Sequence, residues 1–426
     1  MEVIILFSAF LILLAIGMPV AFSLGIASLV YLMLEGISLT IIPQRLYAGI
    51  DTFVLLCIPG FVLAGNLMNV GNITENIVRF SNALLGHIRG GLGLANVGGS
   101  MIFGGISGTA VADSASIGSV MIPGMARSGY DKPFAAAVTA ASSTVGPIIP
   151  PSVPMIIAGS LSGVSVGRMF LAGAIPGLLL GLAMMVTVYL LAIRRGYPKE
   201  ERVPLRQLLR EAKAAFWALL MTVIILYGII GGFFTPTEAS IVASLYALVV
   251  GMYVYKGLSW RKLPALLTDT VYTSSALLLM VGLANLFGWI LTSEQIPQMI
   301  AGLILSISEN PLVVILIINL ILLFVGAFME TIAALIILFP ALLGVATGVG
   351  MDPVHFAVMA VLNLMIGLTT PPVGVCLFVV AGIGKLPMLT VARAIVPFLI
   401  CNLAVLLLVA YVPTISLWLP TLLMGE

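Results

Sequence analysis

The chain has 426 residues, of which 61% are hydrophobic and only 8% carry a charge. A soluble globular domain has about 25% charged residues, so this composition excludes a soluble fold and indicates an all-α polytopic membrane protein embedded in a lipid bilayer. The net charge of +2 gives no sign of a nucleic-acid partner.

Taken in chain order, the apolar runs predict a series of membrane-spanning segments. The first run has no basic region before it and no small-residue cleavage site after it, so it is interpreted as one retained helix. The predicted spans are 3–33, 53–70, 133–160, 168–193, 214–234, 236–255, 271–291, 353–384 and 389–411. Four stretches are too polar to span and are predicted to lie at the membrane interface, and a fifth is too short: 36–50, 72–88, 257–270, 295–308 and 412–425.

Two stretches, 91–126 and 309–346, do not fit a single span. Each has two apolar arms of about 15 residues, separated by small and polar residues. An arm of that length rises only about 22 Å, which is less than the roughly 30 Å of the hydrocarbon core. We therefore predict two re-entrant helical hairpins whose tips lie at mid-membrane, where irregular backbone must be buried in protein or line a polar cavity.

The two hairpins belong to an internal duplication. Asp113 in the first and Glu330 in the second are each followed by a proline ten residues later, and the offset between the two acids is 217. Downstream, the broken-helix sequence Gly146-Pro147-Ile148-Ile149-Pro150-Pro151 has its counterpart in 367–372, at an offset of 221. Two copies of a hairpin followed by a broken helix are typical of a secondary transporter whose site lies where the repeats meet.

The distribution of basic residues predicts the orientation. Seven of the 18 Lys and Arg residues fall within 194–213, which places that loop in the cytoplasm. Five crossings separate the hairpins, an odd number, so the first hairpin opens from the cytoplasm and the second from outside, as inverted repeats require. The predicted division of the chain is 1–90 (amino-terminal scaffold), 91–165 (first transport repeat), 166–308 (scaffold and connecting helices), 309–388 (second transport repeat) and 389–426 (carboxy-terminal scaffold).

The polar residues of each repeat predict one cation site. At the first hairpin tip, Gly104–Thr109, turn carbonyls and hydroxyls suit a hard cation such as Na⁺, and prolines in the broken helix free further carbonyls. Intramembrane acids such as Asp113 and Glu330 are costly and are functional candidates. The alternative is a packing role, because small residues let helices approach and hydroxyls can bond within their own helix.

Glu238 has a different context. It follows Thr235-Pro236-Thr237, so Thr235 is predicted to cap a helix and Glu238 to complete a capping box. A structural role is therefore favoured, and a role in transport stays open.

Four motifs carry a resemblance to a known family. They are Gly17–Gly25 (GMPVAFSLG), Gly104–Pro123 (GGISGTAVADSASIGSVMIP), Gly231–Ser240 (GGFFTPTEAS) and Gly367–Gly374 (GLTTPPVG). Because these motifs occur together and in this order, the whole chain resembles the large membrane subunit of tripartite ATP-independent periplasmic (TRAP) transporters, the DctM/SiaM family. The resemblance implies a multi-pass protein of the bacterial inner membrane, an elevator mechanism with scaffold and transport domains, and Na⁺ as coupling ion without any other cofactor. It also implies a small four-helix membrane subunit and a periplasmic binding protein as partners, with an organic acid as substrate.

The resemblance and the residue pattern together assign the site residues. The first cation site takes Ser107, Gly108, Thr109, Asp113, Ser143 and Gly146. The second takes Gly326, Glu330, Gly367, Thr369 and Thr370. Between the tips, the substrate is expected to meet Ser142, Thr144, Pro147, Thr331 and Asn363.

Other functions remain to be weighed. An anion symporter of the dicarboxylate or arsenite class, working without a binding protein, is the main alternative. A membrane enzyme is disfavoured because the chain has no HExxH or GxSxG motif, and a channel because no pore-lining repeat is present. Sialic acid is slightly favoured over a C4-dicarboxylate as substrate.

Overall fold

A computed structural model of the protein describes residues 2–71 and 73–425, with the side chains of residues 2–3 and 105–107 left out of the description. Within these ranges the regular structure is helical throughout. In chain order the α-helices are α1 Glu2–Ala15, α2 Val20–Leu34, α3 Ile41–Ile50, α4 Cys57–Val70, α5 Ile73–Leu85, α6 Gly91–Ser107, α7 Ala110–Arg127, α8 Lys132–Ser143, α9 Val153–Ser162, α10 Val166–Arg195, α11 Leu205–Ile230, α12 Pro236–Val249, α13 Leu263–Ser293, α14 Ile296–Ile307, α15 Pro311–Gly326, α16 Thr331–Gly348, α17 Pro353–Gly367, α18 Val375–Gly384, α19 Met388–Ala394, α20 Val396–Tyr411 and α21 Thr414–Met424.

Several predicted spans are confirmed. In the described part of the chain, six helical segments are long and apolar enough to cross a bilayer, and three bent pairs could raise the number to nine. Four of the six overlap predicted spans: Phe53–Val70, Val166–Arg195, Leu205–Ile230 (predicted as 214–234) and Pro236–Val254. The first of these begins with a short 3₁₀ turn before α4, and the last ends in a π-helical turn after α12.

The prediction of one helix over 3–33 is wrong. The chain breaks after Ala15, and α1 packs along α2 instead of continuing into it. Gly17 adopts a left-handed φ of 89°, and the Gly17 and Met18 amides bond back to Leu14 and Leu13 at 2.9 and 3.1 Å, which is a Schellman ending. Pro19 follows and lacks the N–H that a continuous helix would need.

The stretch 257–270, predicted as interfacial, is not a separate element in its second half. Residues from Leu263 onward form the first turns of α13, a helix of 31 residues. Leu266, Thr270 and Ser274 are buried at intervals of four residues, so they form one face. This face packs on α4, where Asn66 donates a hydrogen bond of 3.0 Å to Thr270.

Both hairpins and both broken helices are present. Hairpin 1 is α6–α7 and broken helix 1 is α8–α9, which bends by 44° around the 3₁₀ turn Gly146–Ile148. Hairpin 2 is α15–α16 and broken helix 2 is α17–α18, interrupted by residues 368–374. Each break contains a cis Pro-Pro bond, at Pro150-Pro151 and Pro371-Pro372.

The two copies pack in the same way. The starts of α7 and α8, Ala110 and Lys132, have counterparts at Thr331 and Pro353, and both pairs keep the offset of the broken-helix motif. The contact of α7 with α8 is repeated by α16 with α17, and that of α6 with α8 by α15 with α17. Across the copies, α16 packs on α9 while α7 packs on α18. The duplication of sequence is therefore also a duplication of packing.

A glycine contact joins each hairpin to its broken helix. A Cβ atom added to Gly104 would lie 1.8 Å from the Cα of Gly146, and one added to Gly367 would lie 2.6 Å from the Cα of Gly326. Backbone touches backbone in both copies, so no side chain fits. Gly104 is thus inside α6, and the tip of hairpin 1 is shorter than predicted, with only Gly108 and Thr109 between the helices.

The remaining helices surround the hairpins and broken helices. α12 packs closely on α4, where Ser244 donates a 2.7 Å hydrogen bond to the Gly60 carbonyl, and α3 packs along α13. A second apolar cluster joins α1, α2 and α13 to Ile157 of α9 and Ile336 of α16. Through this cluster, one arm of each transport repeat contacts the amino-terminal helices.

Candidate functional site

Asp113 is an acidic residue buried in the membrane-embedded core. It lies in the first turn of α7 and is fully buried, with no exposed surface. The Ser100 hydroxyl lies beside it, but neither carboxylate oxygen accepts a hydrogen bond of acceptable geometry within the described residues. A buried carboxylate without partners is strongly unfavourable, so a bound cation or a proton would stabilise this position.

Buried hydroxyls and amides surround Asp113. The Ser100 hydroxyl lies 3.0 Å from that of Ser142, and Ser114 donates a hydrogen bond of 2.7 Å to Ser143. These contacts join both arms of hairpin 1 to broken helix 1. Ser142 and Ser143, both predicted site residues, are therefore in the same polar cluster as Asp113.

Four members of this cluster were missed in the sequence. They are Asn96, Ser100, Ser114 and Thr139, all fully or almost fully buried. The amide of Asn96 donates to the Thr139 hydroxyl at 2.7 Å. Asn96 and Ser100 are four residues apart, so they share one face of α6, and this spacing was a usable signal.

The predicted residues at the break of helix 1 are mostly bonded locally. Thr144 donates to the Ala141 carbonyl at 2.7 Å, within its own helix. The carbonyl of Pro147 accepts a hydrogen bond from Ser152, whose hydroxyl also accepts one from the Met155 amide at 3.2 Å and so caps α9. The carbonyl of Pro147, expected to be free for a ligand, is thus already engaged by Ser152.

The tip of hairpin 1 rests on α9. Gly108 has a left-handed φ of 66°, and a Cβ there would lie 3.2 Å from the side chain of Val153. Thr109 caps α7, since its hydroxyl accepts from the Ala112 amide at 3.3 Å. The side chain of Ser107, the remaining predicted ligand of this tip, lies outside the described residues.

Glu330 in hairpin 2 has a different role from Asp113. It is the N-cap of α16, and its Oε2 accepts hydrogen bonds from the amides of Ile332 at 2.9 Å and Ala333 at 3.3 Å. The residue at the same place in hairpin 1 is Thr109, the N-cap of α7. The interpretation of Asp113 and Glu330 as equivalent positions is therefore wrong by one helical turn. The matching acid–proline spacing that suggested it is a coincidence of sequence.

Two buried oxygens next to hairpin 2 have no partner in the described part of the chain. They are Oγ1 of Thr331 and Oδ1 of Asn363. The amide nitrogen of Asn363 donates to the carbonyl and side-chain oxygens of Asn319, at 2.9 and 2.7 Å, which fixes the direction of the unpaired oxygen. These two oxygens are places where a ligand could bond.

The other predicted residues of the second copy lie around its break. Thr369 and Thr370 both donate to the carbonyl of Ile366, at 2.9 Å each, so their oxygens keep lone pairs for a cation. The Gly374 amide donates to the carbonyl of Ala327 at 3.1 Å and ties the break to the hairpin tip.

Cys376 connects the two halves of the site. Its thiol is fully buried at the start of α18, beside Ser114 and Ser143. It lies within electrostatic reach of both Asp113 and Glu330. No sequence pattern pointed to this position, because a cysteine in an apolar run is most often a small core residue.

Glu238 forms the capping box predicted for it. Its carboxylate accepts from the Thr235 amide at 2.8 Å, and its own amide donates to the Thr235 hydroxyl at 3.3 Å. It starts α12, which packs on α4 and α11. The capping prediction is confirmed.

The start of broken helix 1 is anchored by the loop after α10. Tyr197 donates a hydrogen bond of 2.7 Å to the Asp131 carboxylate, and the Arg195 guanidinium lies 3.5 Å from the same oxygen. Burial raises the pKa of Tyr130 to about 12, so this phenol stays neutral and donates to the Pro198 carbonyl. The basic loop thus holds one end of the helix that carries Ser142 and Ser143.

Comparison with known proteins gives consistent matches over nearly the whole chain. Residues 7–415 match the family model described as "Tripartite ATP-independent periplasmic transporter, DctM component". The chain is 47% identical over 410 residues to the sialic acid TRAP transporter large permease protein SiaM of Vibrio cholerae, covering 96% of each. It is 39% identical over 447 residues to the C4-dicarboxylate TRAP transporter large permease protein DctM of the same species, covering 100% of this chain and 99% of that one. Among solved structures, the YdaH transporter of Alcanivorax borkumensis has the same fold, with a TM-score of 0.64 over 89% of this chain and 88% of that one, at 14% identity.

Proposed function

The chain belongs to the family of DctM components of TRAP transporters, and from this premise we propose that it carries an organic acid across the bacterial inner membrane in symport with Na⁺. The observation that carries the proposal is the Asp113 carboxylate, fully buried and, among the described residues, without a partner for either oxygen. A coupling cation that binds there neutralises the carboxylate. When the cation leaves, the carboxylate is again without a counter-charge. The stability of the loaded site then depends on the ion that drives transport.

The first Na⁺ site is proposed around Asp113. The backbone of Gly108 and Gly146 and the hydroxyls of Thr109 and Ser143 are the further oxygen donors, with Ser107 as an additional candidate. All of these are hard oxygen ligands, the type that Na⁺ prefers.

The second Na⁺ site is proposed around the tip of hairpin 2 and the break of helix 2. Gly326, Glu330, Gly367, Thr369 and Thr370 are its candidate members. Support comes from the threonine oxygens, which keep lone pairs after donating to Ile366. Glu330 contributes its second carboxylate oxygen, because Oε2 is occupied by the helix amides.

The substrate is proposed to bind between the two tips. Thr331 and Asn363 offer unpaired oxygens for it, and Ser142, Thr144 and Pro147 are the candidate contacts on broken helix 1. We favour sialic acid over a C4-dicarboxylate, because identity is 47% to the sialic acid relative and 39% to the dicarboxylate relative.

The moving part is proposed to be the two repeats, 91–165 and 309–388. They would travel as one body against residues 1–90, 166–308 and 389–426, in an elevator motion. A small four-helix subunit of the DctQ/SiaQ type would extend the scaffold, and a periplasmic protein of the DctP/SiaP type would deliver the acid.

Uptake into proteoliposomes tests this function. Vesicles holding the chain with its small subunit are given radiolabelled sialic acid or succinate, with or without the binding protein, in Na⁺ or choline buffer. We expect uptake of one acid that needs both an inward Na⁺ gradient and the binding protein, with a Hill coefficient for Na⁺ above 1. Full uptake in choline with only a proton gradient contradicts Na⁺ coupling, and full uptake without the binding protein favours a stand-alone symporter.

A further inference from the structure

A cavity of about 480 Å³ lies between the scaffold and the two transport repeats. Its walls come from α3 and α13 on the scaffold side and from α9 and α16 on the transport side. The orientation given by the basic loop places it on the outer side of the membrane, and we call it the outer cavity. Its hydrogen-bonding and aromatic side chains are those of Arg45, Thr52, Ser160, Asn285, Trp289 and Thr292.

Arg45 is the one charged residue among the described residues that line the outer cavity. Its guanidinium stacks over the ring of Trp289 at 5.1 Å from the centroid, and no carboxylate in the described ranges forms an ion pair with it. Stacking on an aromatic face fixes the plane of a guanidinium and leaves its N–H groups at the edge free. Such a group is suited to bind a carboxylate through two parallel hydrogen bonds.

The scaffold wall is built to hold Arg45 in place. Arg45, Ala48, Gly49 and Thr52 recur at helical spacing, so they form one face of α3 and the turn after it. A Cβ on Gly49 would lie 2.6 Å from the Cβ of Asn285, so α3 and α13 are in close contact one turn from Arg45. The basic group is thus attached to the wall that faces the two transport repeats.

A second cavity is related to the outer one by the duplication. It has a volume of about 340 Å³ and is lined by Asn69, Thr74, Glu75, Ser116 and Ser119. The α7 segment in its wall, 115–120, corresponds under the same duplication offset to the α16 segment in the wall of the outer cavity, 336–341. By the same orientation it lies on the cytoplasmic side. Among its described lining residues the one that carries a charge is an acid, Glu75, so the two related cavities carry opposite charge.

We infer that the outer cavity is an entry site for the substrate, in which Arg45 binds its carboxylate before it reaches the hairpin tips. The inference rests on the proposed function for the direction of movement and for the acid carried. A basic group on the outer side attracts an anion, and an acidic group on the inner side does not retain it, so the charges favour inward passage. The phosphate of a lipid headgroup has the same anionic chemistry, and the experiment separates the two sources.

The test uses a thiol in the outer cavity. Ser160→Cys is introduced and the chain is reconstituted with its small subunit in phosphatidylcholine vesicles. The reaction rates of two impermeant reagents with this thiol are compared: the anionic sulfonatoethyl methanethiosulfonate and the cationic trimethylammonioethyl methanethiosulfonate. The parent chain without the new thiol gives the background rate. With Arg45 present we expect the anionic reagent to be favoured, and Arg45→Gln to lower the anion-to-cation rate ratio on the order of tenfold, the size expected for one charge within a shared cavity. Arg168→Gln, an outer-side charge change outside the lining of the cavity, is the matched control and should change the ratio much less than Arg45→Gln.

Protection by the transported acid identifies the ligand. We expect sialic acid, the favoured substrate, to slow labelling of the Ser160→Cys thiol in the Arg45 chain and not in the Arg45→Gln chain. Arg45→Lys should keep the rate ratio but lose most of the protection. Labelling that is slowed by added phosphatidylglycerol and not by the acid assigns the site to lipid and overturns the inference, as does an Arg45→Gln ratio equal to that of the Arg168→Gln control. The ratio of labelling rates is measured without any transport assay. A failure of Na⁺-driven uptake would therefore count against the proposed function and not against this inference.

Discussion

Replacing Asp113 with asparagine removes a charge and preserves shape. On membrane insertion scales, an aspartate at a helix centre costs about 2.5 to 3.5 kcal/mol. Because neither oxygen of Asp113 has a partner among the described residues and the side chain is fully buried, little of that cost is offset within the chain. In Na⁺-free buffer we therefore expect Asp113→Asn to be more stable than the native protein, by about 2 kcal/mol.

Sodium should reverse this order. A ligand that binds only the folded state at 100 times its dissociation constant stabilises it by about 2.7 kcal/mol. The native protein gains this stabilisation at the site of Asp113 and Asp113→Asn does not, while both keep the second proposed site, so the two stability curves should cross as Na⁺ is added. Transport by Asp113→Asn should be lost although the protein folds.

Thermal unfolding of the purified complex in matched Na⁺ and choline buffers measures this directly. Asp269→Asn makes the same chemical change at an exposed position of α13 and should show the native response to Na⁺. If Asp113→Asn is destabilised equally in both salts, the carboxylate is a structural group with partners of its own. If its midpoint rises with Na⁺ as much as the native one, the cation does not bind at Asp113.

Three further expectations concern a helix cap, a backbone contact and the membrane topology. Glu238→Gln weakens a capping box, so stability should fall by about 1 kcal/mol while the Na⁺ dependence of uptake is unchanged; a lost Na⁺ response would give Glu238 a transport role. Gly104→Ala should cost about 3 kcal/mol, the upper end for overpacking, and lower expression strongly, because its Cβ meets backbone. Gly124→Ala, with nothing near its Cβ, should express normally, and equal expression of the two variants would contradict the glycine contact. In thiol labelling, Gly348→Cys should react with an impermeant reagent from outside and Lys199→Cys only from the cytoplasm, and labelling of both from one side would refute the inverted repeats.

The hairpins and broken helices could be predicted because their causes are local. Arms too short to span and prolines at fixed places are visible in one copy and repeated in the other. The turn at Gly17 could not be predicted from local sequence, because glycine and proline also occur inside continuous membrane helices. Gly17 and Pro19 became decisive only because α1 has α2 to pack against.

The register of the acids shows where sequence comparison fails. Asp113 and Glu330 were paired at an offset of 217, while the broken helices gave 221. The difference of four residues is about one helical turn, so both offsets keep a residue on the same face and look plausible in sequence. Only the helix ends decide between them, and they place Glu330 opposite Thr109. The partners of the polar cluster, such as Ser114 and Ser143, depend on tertiary contact and could not be paired from spacing alone.

The glycine contacts bear on how well the protein can hold a gradient. Where Gly104 meets Gly146, and where Gly326 meets Gly367, there is no room for a methyl group and hence none for a water molecule. At these two contacts, therefore, water cannot pass between hairpin and broken helix. In the proposed mechanism each contact would act as a dry point beside a hairpin tip. An ion held at the tip would then leave toward the side it came from or with the moving assembly, and a resting protein would not dissipate the Na⁺ gradient through this gap.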